Sequence, residues 1–211
     1  MCIWFLASII GMGFMIPLHF LSVEHLRLQE KYGKEKGTKI GDILGMVSGW
    51  GFFLFWFGVW FSPQPRFTLP ILENLSINFP IINLSISLIH FILFIPFFII
   101  GAWLGIRSVK ETTLKVAETH RAERVISSGI YSRIRHPQYL GGIVAHIGIS
   151  FLLSSFLSLI TTPVVIILNF LISWKEEKEL IKEFGKEYED YKSKVPMFLP
   201  KLRKRVNKIK K

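Results

Sequence analysis

The chain has 211 residues, half of them apolar, with nineteen Phe and six Trp, and a formal charge of +11. Its single cysteine, Cys2, excludes an internal disulfide framework and any cysteine-rich metal site. The apolar residues gather into long blocks almost free of charge, near the roughly 20 residues that cross a bilayer core, and so argue against a soluble domain.

The first block, Cys2 to Leu21, lacks a basic leader and a small-residue cleavage site, and reads as a retained helix rather than a signal peptide. A second block covers about Ile43 to Phe61 and is preceded by Gly37, Gly41, Gly45 and Gly49, whose four-residue spacing lets helix backbones approach closely. Gly11-Met12-Gly13 and Gly49-Trp50-Gly51 each lie inside a span with no strand before them, so neither is a nucleotide loop, and a soluble Rossmann enzyme is disfavoured. The connection Ser62–Pro80 holds Pro63, Pro65, Pro70 and Pro80 among apolar residues and is expected to lie along the membrane surface. It also leads into the glycosylation sequon Asn74-Leu75-Ser76. The third block runs from about Ile81 to Ile106 and repeats the small-residue spacing at Gly101 and Gly105. A fourth, Tyr139 to Trp174, is too long for one span and suits two helices joined near Ser154-Ser155.

Beyond Trp174, Leu180, Phe184, Tyr188, Tyr191 and Val195 recur on one face of a helix, with Glu and Lys opposite. Gly185 interrupts that helix at a cost of about 1 kcal/mol against Ala, which asks for a packing or ligand reason. Pro196 ends it. Met197-Phe198-Leu199-Pro200 is expected to press back onto the membrane, and Lys201–Lys211 reads as a polybasic, lipid-facing end.

Charge supports five spans. The segments between blocks carry five, one, seven and no Lys or Arg in turn, and the tail carries thirteen, an alternation that places the N-terminus outside and the C-terminus in the cytoplasm. A basic face beside anionic lipid accounts for the charge without nucleic acid. The expected fold is an all-α integral membrane protein of about five transmembrane helices with a cytoplasmic C-terminal amphipathic helix. Residues 1–106 form the first three spans, and residues 107–211 form a cofactor-binding region around the hairpin 139–174.

Two polar features carry chemistry. Where the loop 107–138 enters the fourth block, Arg135-His136 precedes Pro137, which favours an extended His136 and opens a helix at its first position. A guanidinium and an imidazole are thus set at a helix N-terminus, a place suited to anions. Where the last apolar block ends, Glu176 and Glu177 put two carboxylates at the membrane boundary, where they need a partner or a cationic ligand. His19, His25, His90 and His146 lack a metal-binding spacing such as H-E-x-x-H; each is expected to be structural, and no metal is expected. Glu118 and His120 lie in the polar loop near the expected cofactor.

In order along residues 105–200, Ser128-Gly129-Ile130-Tyr131, Arg135-His136-Pro137-Gln138-Tyr139 with Gly141, Glu176-Glu177, Leu180, Phe184-Gly185, Glu187-Tyr188, Tyr191 and Val195-Pro196 resemble the isoprenylcysteine carboxyl methyltransferase family and its phospholipid methyltransferase relatives. The resemblance implies S-adenosyl-L-methionine as cofactor, bound by Tyr131, His136, Pro137, Gln138, Tyr139 and Glu176, with backbone contacts from Val125 and Ile126. It also implies a prenylated or lipid-like acceptor reached from the membrane, and Arg135 and Glu177 are candidates for positioning groups in catalysis. One position departs: the family's substrate-facing Arg, four residues before the first Glu, is Ile172 here. Methylation of a phospholipid amine or another small lipophilic acceptor therefore stands beside carboxyl methylation. From other classes stand an NADPH-dependent sterol reductase, whose Arg-His-x-x-Tyr turn lacks this Pro and Glu pair, and a non-catalytic membrane scaffold.

Overall fold

A computed structural model describes residues 3–72, 75–82 and 84–200. The sequon's Asn74 and the polybasic end 201–211 lie outside the described residues.

Among the described residues, three helices are long and apolar enough to cross a membrane: α1 (Ile3–Ser22), α3 (Lys34–Phe61) and α4 (Leu88–Thr112). They point Trp4, Phe14, Leu54 and Ile99 outward, with more than half of each residue's surface exposed, as an integral membrane protein does toward lipid. Between α1 and α3 the chain forms α2 (His25–Tyr32) and turns at Gly33, so α3 begins nine residues before its apolar block. Helix α5 (Leu114–Thr119) follows α4. After a loop and a 3₁₀ turn at Gly129–Ser132 come α6 (Pro137–Leu152), α7 (Phe156–Ile160), α8 (Thr162–Phe184) and α9 (Lys186–Lys194).

Helix α1 packs chiefly on α3, and α4 on α6. Small residues permit both contacts. A Cβ on Gly101 would come within 2.8 Å of the Gly141 carbonyl oxygen, so α4 and α6 cross backbone to backbone. The glycine row of α3 faces α2 and the end of α5 rather than another span: a Cβ on Gly41 would meet the His25 ring at 3.0 Å, and one on Gly45 the Thr119 carbonyl oxygen at 2.9 Å. The row therefore brings the chain around residue 120 against α3. Helix α8 closes the bundle against α1 and α6, around a core containing Met12, Phe52, Trp56, Val59, Ile143, Val165 and Ile172. Buried His146 belongs to this core, accepting at Nδ1 from the indoles of Trp56 and Trp60 (3.0 and 2.8 Å) and donating from Nε2 to Ser158 O (3.0 Å).

The structure corrects the sequence reading in three places. The fold is mostly helical, as expected of an all-α membrane protein, with a short hairpin leading into the third apolar block. The strands β1 (Ser76–Phe79) and β2 (Leu84–Ser87) pair antiparallel, Ile77 opposite Ile86, so the third apolar block opens with the end of the 3₁₀ turn Pro80–Ile82 and with β2, and is α-helix only from Leu88. Second, the proline-rich connection is not merely laid on a surface: Phe67 N donates to Ser154 O and Phe156 N to Pro65 O, stitching it to the turn between α6 and α7. That turn falls at the expected Ser154-Ser155, with Ser154 at φ +52. Third, the tail is two helices. Gly185, at φ +54 and ψ −129, ends α8 and starts α9, a backbone state that side chains other than glycine's resist. The break still delivers the predicted face, because Leu180 and Phe184 of α8 pack with Tyr188, Tyr191 and Val195 around Val125.

Candidate active site

The two polar stretches singled out in the sequence meet at one end of the bundle. Pro137 stands at the first position of α6 and His136 is its N-cap; at φ −124 and ψ 61 His136 avoids the helical region, as X-Pro sterics require, without reaching the extended backbone expected of it. The backbone N–H groups of Arg135 and His136 donate to Pro196 O (3.0 Å) and Met197 O (3.1 Å), so the segment after α9 pairs with the turn before α6. Met197 and Phe198 thus pack on the site, the Phe198 ring 6.0 Å from that of His136, in place of the expected return to the membrane.

Glu177, 1 % exposed, is the centre of a buried charge network. Its Oε1 accepts from Arg135 Nε (2.7 Å) and lies 3.1 Å from His136 Nε2, while Lys192 Nζ sits 3.0 Å from Oε2. Burial works against ionisation of Glu177, but His136, Arg135 and Lys192 prevail and hold its carboxyl at about 2. Arg135 also donates to the carbonyls of Lys192 and Val195, tying α9 to the mouth of α6. Arg135 and Glu177 therefore serve chiefly each other and the docking of α9.

Glu176 points the other way. Its Oε1 accepts from the Tyr139 hydroxyl and stands 3.1 Å from His19 Nε2 of α1, and its Oε2 is 3.6 Å from His136 Nδ1. Burial again opposes the charge, and the neighbouring imidazoles, His19 foremost, bring the carboxyl to about 2.

Around these groups lies a cavity of about 140 Å³. Of the residues expected to bind the cofactor, Val125, Ile126, Tyr131, His136, Gln138, Tyr139 and Glu176 line it, as does Arg135; Pro137 and Glu177 are not among its lining residues. Tyr131 is held by a 2.5 Å hydroxyl contact with Ser108 of α4 and by Tyr191, whose hydroxyl donates to the Tyr131 carbonyl (2.7 Å). The 3₁₀ turn that carries Tyr131 is fixed by Glu111, whose Oε1 accepts from Ile130 N (3.1 Å) and fills the space beside Gly129, at φ +53.

Sequence reasoning missed Val23, His25 and Glu183 on the same walls. Val23 and His25 arrive from the junction of α1 and α2, outside the motif series, and only the glycine row of α3 hinted that this junction would be drawn in. Burial raises the carboxyl of Glu183 above its usual range, and burial lowers the imidazole of His25.

A second, larger cavity of about 390 Å³ opens between α1, α3 and α8. Its walls are apolar, with Met15, Phe52, Phe53, Trp56, Phe57 and Ile172 prominent. Ala117, His120, Gln138 and Tyr139 line both cavities and form the partition between them. Of the two residues read from sequence as possible neighbours of a cofactor, His120 lines both cavities and Glu118 lines the apolar one alone.

Residues 89–187 match the phospholipid methyltransferase family. The chain is also similar to proteins named protein-S-isoprenylcysteine O-methyltransferase. That of Schizosaccharomyces pombe is 34% identical over 84 residues, 36% of this chain and 33% of the relative. That of Xenopus laevis is 35% identical over 91 residues, 39% of this chain and 29% of the relative, and that of Saccharomyces cerevisiae 37% over 84 residues, 36% and 32%. The similarity thus spans about a third of those relatives. The resemblance read from the motif series holds over this region.

Proposed function

We propose that the chain is an S-adenosyl-L-methionine-dependent methyltransferase of lipophilic acceptors, with an isoprenylcysteine-like carboxylate as the leading acceptor. The observation that carries this is the pair of cavities, one with charged side chains among its apolar walls and one almost wholly apolar, sharing the wall Ala117, His120, Gln138 and Tyr139. A donor with charged and hydroxyl groups suits the first, and a lipid tail suits the second.

The first cavity fits the donor by the chemistry of its groups. His136 with the N-terminus of α6 suits a carboxylate, while Glu176 and Glu183 suit an ammonium or ribose hydroxyls. When bound, the cofactor supplies an electrophilic methyl on a sulfonium. The chain's residues align and dehydrate. Tyr139 and Gln138 hold the partition, Tyr131 closes the wall nearest α4, and Arg135 with Glu177 fixes α9 over the site as positioning residues. A carboxylate acceptor needs no general base, so alignment and exclusion of water account for the catalysis asked of the protein.

For the membrane arrangement we adopt five spans, with α6 and α8 joining α1, α3 and α4, the N-terminus outside and the site at the cytoplasmic face. The alternation of basic residues supports it.

A second reading, N-methylation of a phospholipid amine, is favoured by one observation: no Lys or Arg is among the described residues that line the apolar cavity. A tritiated-methyl assay offering a prenylcysteine analogue and a phospholipid amine side by side separates the two. Label in the prenylcysteine ester, released as methanol by base, supports the first; label only in the phospholipid overturns it. NADPH binding without S-adenosylhomocysteine binding would move the chain to the reductase class.

A further inference from the structure

The partition between the cavities holds a cluster that the donor site does not fully explain. His19 of α1, His120 at the end of α5 and Glu176 of α8 bring one ligand atom each within 4.8 Å of one another. The two imidazoles meet edge to face, centroids 4.4 Å apart. His19 is 4% exposed, and both His19 Nε2 and His120 Nδ1 are buried without a hydrogen-bond partner among the described residues. His19 Nε2 stands 3.1 Å from Glu176 Oε1, an ion-pair distance. A buried His120 nitrogen without a partner, beside a second imidazole and a carboxylate, is costly unless something binds it. His120 is also held at φ +55, a left-handed backbone uncommon outside glycine, which turns its ring to the cluster.

We propose that His19, His120 and Glu176 bind a divalent transition-metal ion of the zinc class at the junction of the two cavities. Two imidazoles and a carboxylate are a donor set of open zinc sites, which leave one position for water or substrate. Bond lengths of about 2.0–2.2 Å require the three ligands to draw in slightly, and the carboxylate oxygen is already 3.1 Å from His19. The open position faces the apolar cavity, which His19 and His120 both line. Among its described lining residues that cavity offers a carboxylate no Lys or Arg, and buried Ile172 stands on its wall. The ion supplies the missing positive charge, gripping the acceptor carboxylate beside the partition. Glu176 then serves both sides, Oε1 toward the ion and Oε2 toward His136. The role given to the ion rests on the functional reading above; its binding does not.

The test uses the full chain in detergent, stripped with a chelator and titrated with Co(II) and Zn(II). One ion per chain is expected, with visible d–d absorption of a four- or five-coordinate Co(II) site. His19→Ala and His120→Ala should each weaken binding by more than the roughly 10- to 100-fold that loss of an outer-shell partner costs. His19→Cys should keep the ion and add a sulfur-to-cobalt charge-transfer band, a readout that a merely structural histidine cannot give. A prenylcysteine acid should shift the Co(II) spectrum, and its amide should not. Absence of stoichiometric binding, wild-type affinity in both alanine variants, or no new band in His19→Cys overturns the site. Indifference of the spectrum to the acid overturns the role. S-adenosylhomocysteine affinity of the stripped protein, measured in parallel, reports on the donor site alone, so the two readings fail separately.

Discussion

Arg135 shows how a residue that looks catalytic in a motif acts through others. Its guanidinium is spent on Glu177 and on the carbonyls of Lys192 and Val195, and Glu177 is almost wholly buried. Removing one partner of such a pair leaves the other uncompensated, at a cost of about 3–5 kcal/mol. Arg135→Ala should therefore lower the thermal midpoint strongly, and Arg135→Ala/Glu177→Gln should recover part of it; a single variant as stable as wild type would contradict the network. Tyr188 gives a milder test. Burial raises its phenol, and that of Tyr191, well above the usual range near pH 10. The folded form holds the proton that the unfolded chain releases. The stabilisation is complete below about pH 10 and fades as pH rises further. Tyr188→Phe should be nearly neutral at pH 7 and should flatten the loss of stability above pH 10. An unchanged alkaline profile would mean that Tyr188 is not docked as described.

At the scale of elements, Gly185 decides whether the tail packs on the site. At φ +54 and ψ −129 an alanine is strained by about 1–3 kcal/mol. Gly185→Ala should straighten α8 into α9, separate Tyr188 and Tyr191 from Val125, and make proteolysis after Lys186 or Lys192 faster. Unchanged digestion would show that the break is not set by this residue. The apolar periodicity around Gly185 was legible in the sequence, and so was the likeness to a helix face; the break was not, because residues on both sides of it keep the same stripe. Likewise Pro137 announced the start of α6, whereas the strand at 84–87 hid inside an apolar block that length alone assigned to a helix, and its partner at 76–79 inside the proline-rich connection. The Arg-His-Pro turn and the Glu pair could be found as local words. His19 and His120 could not, since their meeting depends on α1 packing near α8 and on the glycines of α3 admitting the end of α5.

For the whole molecule, the proposed topology puts α2, α5 and α9 on one side of the membrane and the proline-rich connection on the other. With Cys2 replaced by Ser, Lys39→Cys and Thr68→Cys place single thiols at exposed positions on the two sides. In sealed vesicles of known orientation an impermeant maleimide should label one and spare the other. Equal labelling of both would overturn the orientation. The central claim is that Arg135-His136 and Glu176, parted by the α6–α8 hairpin, line one pocket for a sulfonium donor, braced by Glu177 through Arg135. Its most direct test is equilibrium binding of S-adenosylhomocysteine to the purified protein in detergent, with His136→Ala and Glu176→Ala alongside. The wild type should bind, and each variant should bind at least about tenfold more weakly, a loss of about 1.4 kcal/mol, while retaining its helical signal. No binding to the wild type, or wild-type affinity in both variants, would contradict it.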